Sequence, residues 1–217
     1  MQPAFVALVL FVVYMTVAFG LRTVQHIRAT GSTGFQGISG RIGSASWFGG
    51  VLFVLALVLG ALAPVLELAG VVRSLVALPP WAFACAVALA VAGTLATYAS
   101  QVAMGKSWRI GVREAERTEL VSDGPFRIVR NPIFSCMLVT GTGLALILPN
   151  VLSLVSLICL FVAVELQVRV VEEPYLHRTH GERYAEYCLR VGRFVPGLGL
   201  RRFAASAIRS LDDSPNL

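Results

Sequence analysis

Four stretches of this chain, residues 1–21, 42–66, 74–105 and 131–164, contain no Asp, Glu, Lys or Arg. Each can hold a helix of about 20 residues, the length that crosses a bilayer's hydrocarbon layer. Backbone polar groups in lipid must be satisfied internally, so charge-free windows of this length fold as membrane helices. Charged residues make up only 14% of the 217-residue chain and mean hydropathy is +0.75. That excludes an ordinary soluble domain, in which the charged share approaches a quarter. A disordered chain or a disulfide scaffold is excluded on the same grounds.

The fourth window is 34 residues long, and its middle reads Leu148-Pro149-Asn150, a turn signal that reverses the chain. The expected architecture is therefore an all-α polytopic membrane protein with five transmembrane helices, over residues 4–21, 47–69, 80–101, 132–148 and 151–171. At about 1.5 Å per residue the fourth span barely crosses the hydrocarbon, which disfavours a steep tilt. Arg22, Arg28 and Arg41 fall on one side, joined by the basic residues from Lys106 to Arg130 and from Arg169 to Arg209, whereas the other side receives only Arg73. The positive-inside rule then places the N-terminus outside and the C-terminus in the cytoplasm. The first span has no basic n-region and no clear small-x-small cleavage site, so it reads as an anchor and not a cleaved leader.

Three regions follow. Residues 1–101 form an N-terminal three-helix membrane region, and residues 102–196 carry the polar inner segments around a helical hairpin at 132–171. Residues 197–217 form a basic tail. There Leu200, Phe203, Ala204, Ala207, Ile208 and Leu211 share one helical face with Arg201, Arg202 and Arg209 off it, the pattern of an amphipathic helix on the membrane surface. A frayed tail is the alternative reading, since short helices are marginal in water.

Chemistry has two places to reside, both at the inner ends of spans. Gly105-Lys106-Ser107 fails as a phosphate loop, because Ser100 stands where the first glycine belongs and a membrane helix precedes it. Asn131-Pro132 opens the fourth span, with proline where a missing N–H costs nothing. Arg127 and Arg130 then sit beside the unpaired N–H groups of a helix start, an arrangement that attracts anions or else merely snorkels to lipid phosphates. Gly141 and Gly143 suit close helix packing first and ligand contact second. Glu165, Arg169, Glu172 and Glu173 form one charged stripe as the last span leaves the bilayer. Charge at that depth marks a functional site by default, with an ion-pair ladder as the structural alternative. His177 and His180 lack the i,i+4 spacing of a zinc site, and Cys85, Cys136, Cys159 and Cys188 show no C-x-x-C pairing, so no metal is expected. Tyr184 and Tyr187 share a helical face beyond Gly181. No basic run interleaved with aromatics resembles a nucleic-acid module, and nothing in the sequence speaks to oligomeric state.

The run LVSDGPFRIVRNPIF resembles the L-V-x-x-G-P-[YF]-x-x-x-R-[HN]-P-x-[YF] block of the isoprenylcysteine carboxyl methyltransferase and phospholipid methyltransferase family. EEPYLHRTHGERYAEYCLRVGRFVP is similar to that family's ending. The likeness covers about residues 105–196, with Asn131 where His is usual, Phe126 where Tyr is usual and His180 where an aromatic is usual. It implies an integral membrane enzyme that uses S-adenosylmethionine and methylates a small lipophilic acceptor arriving from the bilayer, with its active site on the cytoplasmic side. Carried over, it implies that Leu120, Val121, Arg130, Asn131, Pro132, Phe134, Gly141, Gly143, Glu172, Glu173, Tyr184 and Tyr187 line the cofactor site. Arg169 and Glu172 are the expected catalytic pair: Arg169 to position a carboxylate acceptor, Glu172, or Glu165 in its place, to take a proton from an amine or thiol instead. A carboxylate is the favoured acceptor, and phospholipid or other amine methylation, or a non-catalytic scaffold with the same fold, are the alternatives.

Overall fold

The computed structural model describes residues 2–35, 37–38, 40–108 and 119–200. Five long helical rods account for most of it, and no strand forms among the described residues. The first rod is α1 (Pro3–Met15), a π turn (Thr16–Leu21) and α2 (Arg22–Thr30) in unbroken succession. α3 (Ala45–Leu68) and α4 (Pro80–Met104) follow, then α5 (Pro132–Ile147). The last rod runs from α6 (Val151–Leu166) through a second π turn (Gln167–Glu172) into α7 (Glu173–Arg190). Four of these rods are long and apolar enough to cross a membrane, and α5 is shorter at 16 residues. The five expected spans are thus present, but the first and last rods continue as helix to Thr30 and Arg190. The amphipathic stripe expected beyond Leu200 lies outside the described residues.

Local chemistry sets the helix ends. Proline occupies the first turn of α1, α4, α5 and α7, where its fixed φ is already helical. Asn150 starts α6 with a reciprocal cap: its Oδ1 accepts from Ser153 N at 2.9 Å, and Ser153 Oγ accepts from Asn150 N at 3.2 Å. The Asn150 amide also donates to Glu67 Oε2 at 2.9 Å, which fastens α3 to the turn between α5 and α6.

The helices pack in two close pairs, α4 on α5 and α3 on α6, with α1 against α3 and α5. Lipid offers no hydrophobic drive between helices, so small residues that let backbones approach decide these contacts. A Cβ on Gly143 would stand 2.5 Å from the Ala90 backbone nitrogen, and one on Gly93 would meet Thr140 at 2.6 Å. Gly143→Val is therefore expected to cost about 1–3 kcal/mol through overpacking, a fall of several degrees in melting temperature in detergent. An unchanged melting temperature would place α4 and α5 further apart than this.

Candidate functional site

At the end of the bundle that gathers the arginines, two distant segments meet. Val129 and Gly192 form an isolated parallel bridge, with Arg130 N donating to Gly192 O at 2.8 Å and Asn131 N to Arg193 O at 3.1 Å. Side chains lock this contact. Glu173, 4% exposed, accepts from Arg130 Nη2 at 2.9 Å and from Arg193 Nε and Nη2 at 2.7 and 2.8 Å, the second pair being a bidentate fork. The Glu173 hydrogen bonds raise the pKa of Arg193 above its ordinary value and make it a fixed cation. Arg130 also donates from Nη1 to Val191 O at 2.6 Å and from Nη2 to Gly199 O at 3.1 Å. Tyr187 Oη donates to Phe126 O at 2.5 Å, and Ser135 Oγ to Phe194 O at 2.8 Å. The start of α5 is thereby bound to α7 and to the segment after it.

Beside this clasp lies a cavity of about 270 Å³. Its polar part is walled by Glu119, Leu120 and Val121, by Arg130 and Asn131, by Gln167 and Glu172 of the second π turn, and by Tyr175, Tyr184 and Tyr187 of α7. Its apolar part descends between helices, past Phe19 of the first π turn, Phe53 and Val54 of α3, Met137 of α5 and Val164 of α6. Trp108 closes one side, held there by Arg22, whose guanidinium carbon stands 4.9 Å over the indole centroid. Phe35 and Ile38, from the loop between the first two rods, cover another. A concave, mainly apolar site with a few convergent polar groups is the form that small-ligand pockets take.

The residues expected from sequence divide accordingly. Leu120, Val121, Arg130, Asn131, Pro132, Phe134, Glu172, Tyr184 and Tyr187 line the cavity. Glu173 belongs to the clasp. Gly141 borders a second, smaller cavity of about 60 Å³ between α1, α3, α5 and α6, and Gly143 packs on Ala90. Arg169 stands on the half-exposed side of its helix, paired with Glu165. Four features escape the sequence reading. Arg193 sits inside the family-like ending, where its burial was the missing datum. Gln101 is a polar residue in a charge-free window. Trp108 and the loop carrying Phe35 precede the motif blocks; that loop repeats glycine at every third position from Gly31 to Gly43, each with positive φ.

Comparison with known sequences bears on the same region. Residues 81–183 match the family described as phospholipid methyltransferase. The protein-S-isoprenylcysteine O-methyltransferase B of Arabidopsis thaliana is 31% identical over 87 residues, which cover 40% of this chain and 44% of that relative. The match thus spans less than half the length of the curated relative.

Proposed function

We propose, on the match of residues 81–183 to the phospholipid methyltransferase family and the likeness to the plant isoprenylcysteine methyltransferase, that the chain is a membrane methyltransferase whose cavity binds S-adenosylmethionine at the polar part and a lipophilic acceptor at the apolar part. The observation that carries this reading is the cavity's continuity from charged loops to the helix seams. The donor set fits the cofactor. Its carboxylate would be held by the first-turn N–H groups of α5 and by Nε of Arg130, which is buried and has no partner among the described residues. Glu172 and Glu119 suit its ammonium and sulfonium, and Leu120, Val121, Tyr184 and Tyr187 suit its adenine. When bound, it supplies an electrophilic methyl carbon. The chain's own part is to align the acceptor and exclude water, a proximity effect more than acid–base chemistry.

A carboxylate is the preferred acceptor, which the name of the plant relative supports. Arg169 is the proposed cation for it. Arg169 lies within the last span, half-exposed beside Glu165, and a carboxylate entering from lipid would replace Glu165 as its partner. Arg169→Gln is expected to raise KM for a carboxylate acceptor about tenfold or more, the scale of one charge-assisted contact, with affinity for S-adenosylhomocysteine unchanged. Equal losses in both would make Arg169 a structural residue. The family match to phospholipid methyltransferases supports an amine acceptor as the second reading, with Glu172 as proton acceptor. The clustering of arginines at the cavity end supports a cytoplasmic active site.

Two measurements test the proposal. Calorimetry on detergent-purified protein should show heat of binding for S-adenosylhomocysteine; none at concentrations well above micromolar would end the reading. Labelled cofactor with membrane extract should then yield a product whose label mild base releases, as only an ester allows; base-stable label would transfer the assignment to an amine or thiol.

A further inference from the structure

The buried polar residues of α4 differ in how they are satisfied. Thr94 Oγ1 and Thr97 Oγ1 each donate at 2.8 Å to a carbonyl of their own helix, Ala90 and Gly93. Gln101, one turn further on and 3% exposed, reaches across instead: its Nε2 donates to Ala18 O at 3.0 Å. A carbonyl oxygen can only accept, so the amide nitrogen must be the atom turned toward Ala18. Oε1 is then directed elsewhere, and it is buried without a partner among the described residues. An amide oxygen removed from water and left without a donor destabilises the fold, and a bilayer offers no solvent to relieve it. Yet Gln101 lines the cavity.

The backbone around it is also irregular. Ala18 belongs to the first π turn, and both π turns border this cavity, through Phe19 on one side and Gln167 and Glu172 on the other. Such turns are rare and concentrate at functional sites. Gln101 bonds to Ala18, which packs in one cluster with Phe19 and Met137, and Phe19 and Met137 line the same cavity.

We propose that Gln101 is a ligand-binding residue, whose Oε1 accepts a hydrogen bond from an N–H or O–H group of a molecule held in the cavity while Ala18 fixes its orientation. The inference rests on the cavity being the methyl-transfer site. Two ligands carry such a donor: the cofactor, in its ammonium, adenine amine and ribose hydroxyls, and an acceptor with an amide N–H beside its reacting group.

Gln101→Met keeps the length of the side chain and removes the oxygen. Affinity for S-adenosylhomocysteine and KM for N-acetyl-S-farnesylcysteine, a lipophilic carboxylate with one amide N–H, are measured on the wild type and this variant in nanodiscs. A loss of about 5- to 30-fold, the scale of one buried hydrogen bond, is expected in one of them. Loss in the first assigns the donor to the cofactor. Loss in the second alone, absent with S-farnesylthiopropionic acid, which has no N–H, assigns it to the acceptor. Gln101→Glu adds a second readout: its neutral carboxyl donates to Ala18 and accepts from the ligand, so affinity should return at acidic pH, and as the group ionises it should fall for a ligand held through a neutral N–H or O–H and be kept for one held through its ammonium. If Gln101→Met stays folded with both constants unchanged, the inference is wrong while the methyl-transfer reading stands. If the wild type binds no S-adenosylhomocysteine, both fall.

Discussion

Glu173→Gln is expected to unfold the arginine-rich end of the protein. The wild-type carboxylate accepts three hydrogen bonds from two guanidiniums, Arg130 and Arg193, and all three side chains are buried. An amide of the same shape has one acceptor oxygen and turns an N–H₂ group toward guanidinium donors. Two cations would remain buried without a counter-charge, and breaking such a pair costs about 3–5 kcal/mol, a large share of the stability of any domain. The expected result is a lowered melting temperature in detergent and early proteolysis between residues 190 and 200, where the strap would come loose. Removing all three charges together should cost less than removing one. A Glu173→Leu, Arg130→Met, Arg193→Met variant should recover much of the lost stability, because burying apolar groups carries no desolvation penalty. A Glu173→Gln protein that melts within a degree of wild type would mean that the clasp contributes nothing.

The reason Glu173 and Glu172 part company also explains what the sequence could and could not reveal. Charge-free windows, first-turn prolines and the Asn150 cap are properties of composition and local hydrogen bonding, so the five rods and their starts are legible in one dimension. On a regular α-helix, Glu165, Arg169, Glu172 and Glu173 would lie along one stripe. Glu172 and Glu173 are consecutive and so stand about 100° apart around the helix, and the π turn from Gln167 to Glu172, by taking up an extra residue, shifts both relative to Glu165. The angle between the two neighbours puts Glu173 in the clasp and Glu172 on the cavity wall. Neither π turn has a compositional signature. Gly141 and Gly143 show the converse: the same two glycines satisfy a motif and a packing requirement, and only the approach of Ala90 decides what Gly143 does. Arg193 and Gln101 depend on partners 20 and 83 residues away, separations at which periodicity carries no information.

Glu172→Gln is accordingly expected to do the opposite of its neighbour: the fold persists and ligand binding falls. Glu172 stands outside the buried triad of Glu173, Arg130 and Arg193 and accepts a long hydrogen bond from Gln167 Nε2 at 3.4 Å, so a neutral amide in its place leaves that triad intact. Facing the cavity, however, its carboxylate supplies negative charge where the proposed cofactor carries an ammonium and a sulfonium. A hydrogen bond to a charged group is worth about 1.5–3 kcal/mol, which converts to a roughly 10- to 150-fold weaker affinity for S-adenosylhomocysteine. S-adenosylmethionine, with the additional sulfonium charge, should lose more than its neutral-sulfur product does, and that difference is the sharper measurement because a general loosening of the site would weaken both alike. Calorimetry with the two ligands on the same preparation reads it directly. Equal losses would move Glu172 away from the sulfonium and toward the ammonium that both ligands share; retained affinity for both, in a protein that still melts as wild type, would remove Glu172 from the site and leave Glu119 as the acidic wall of the cavity.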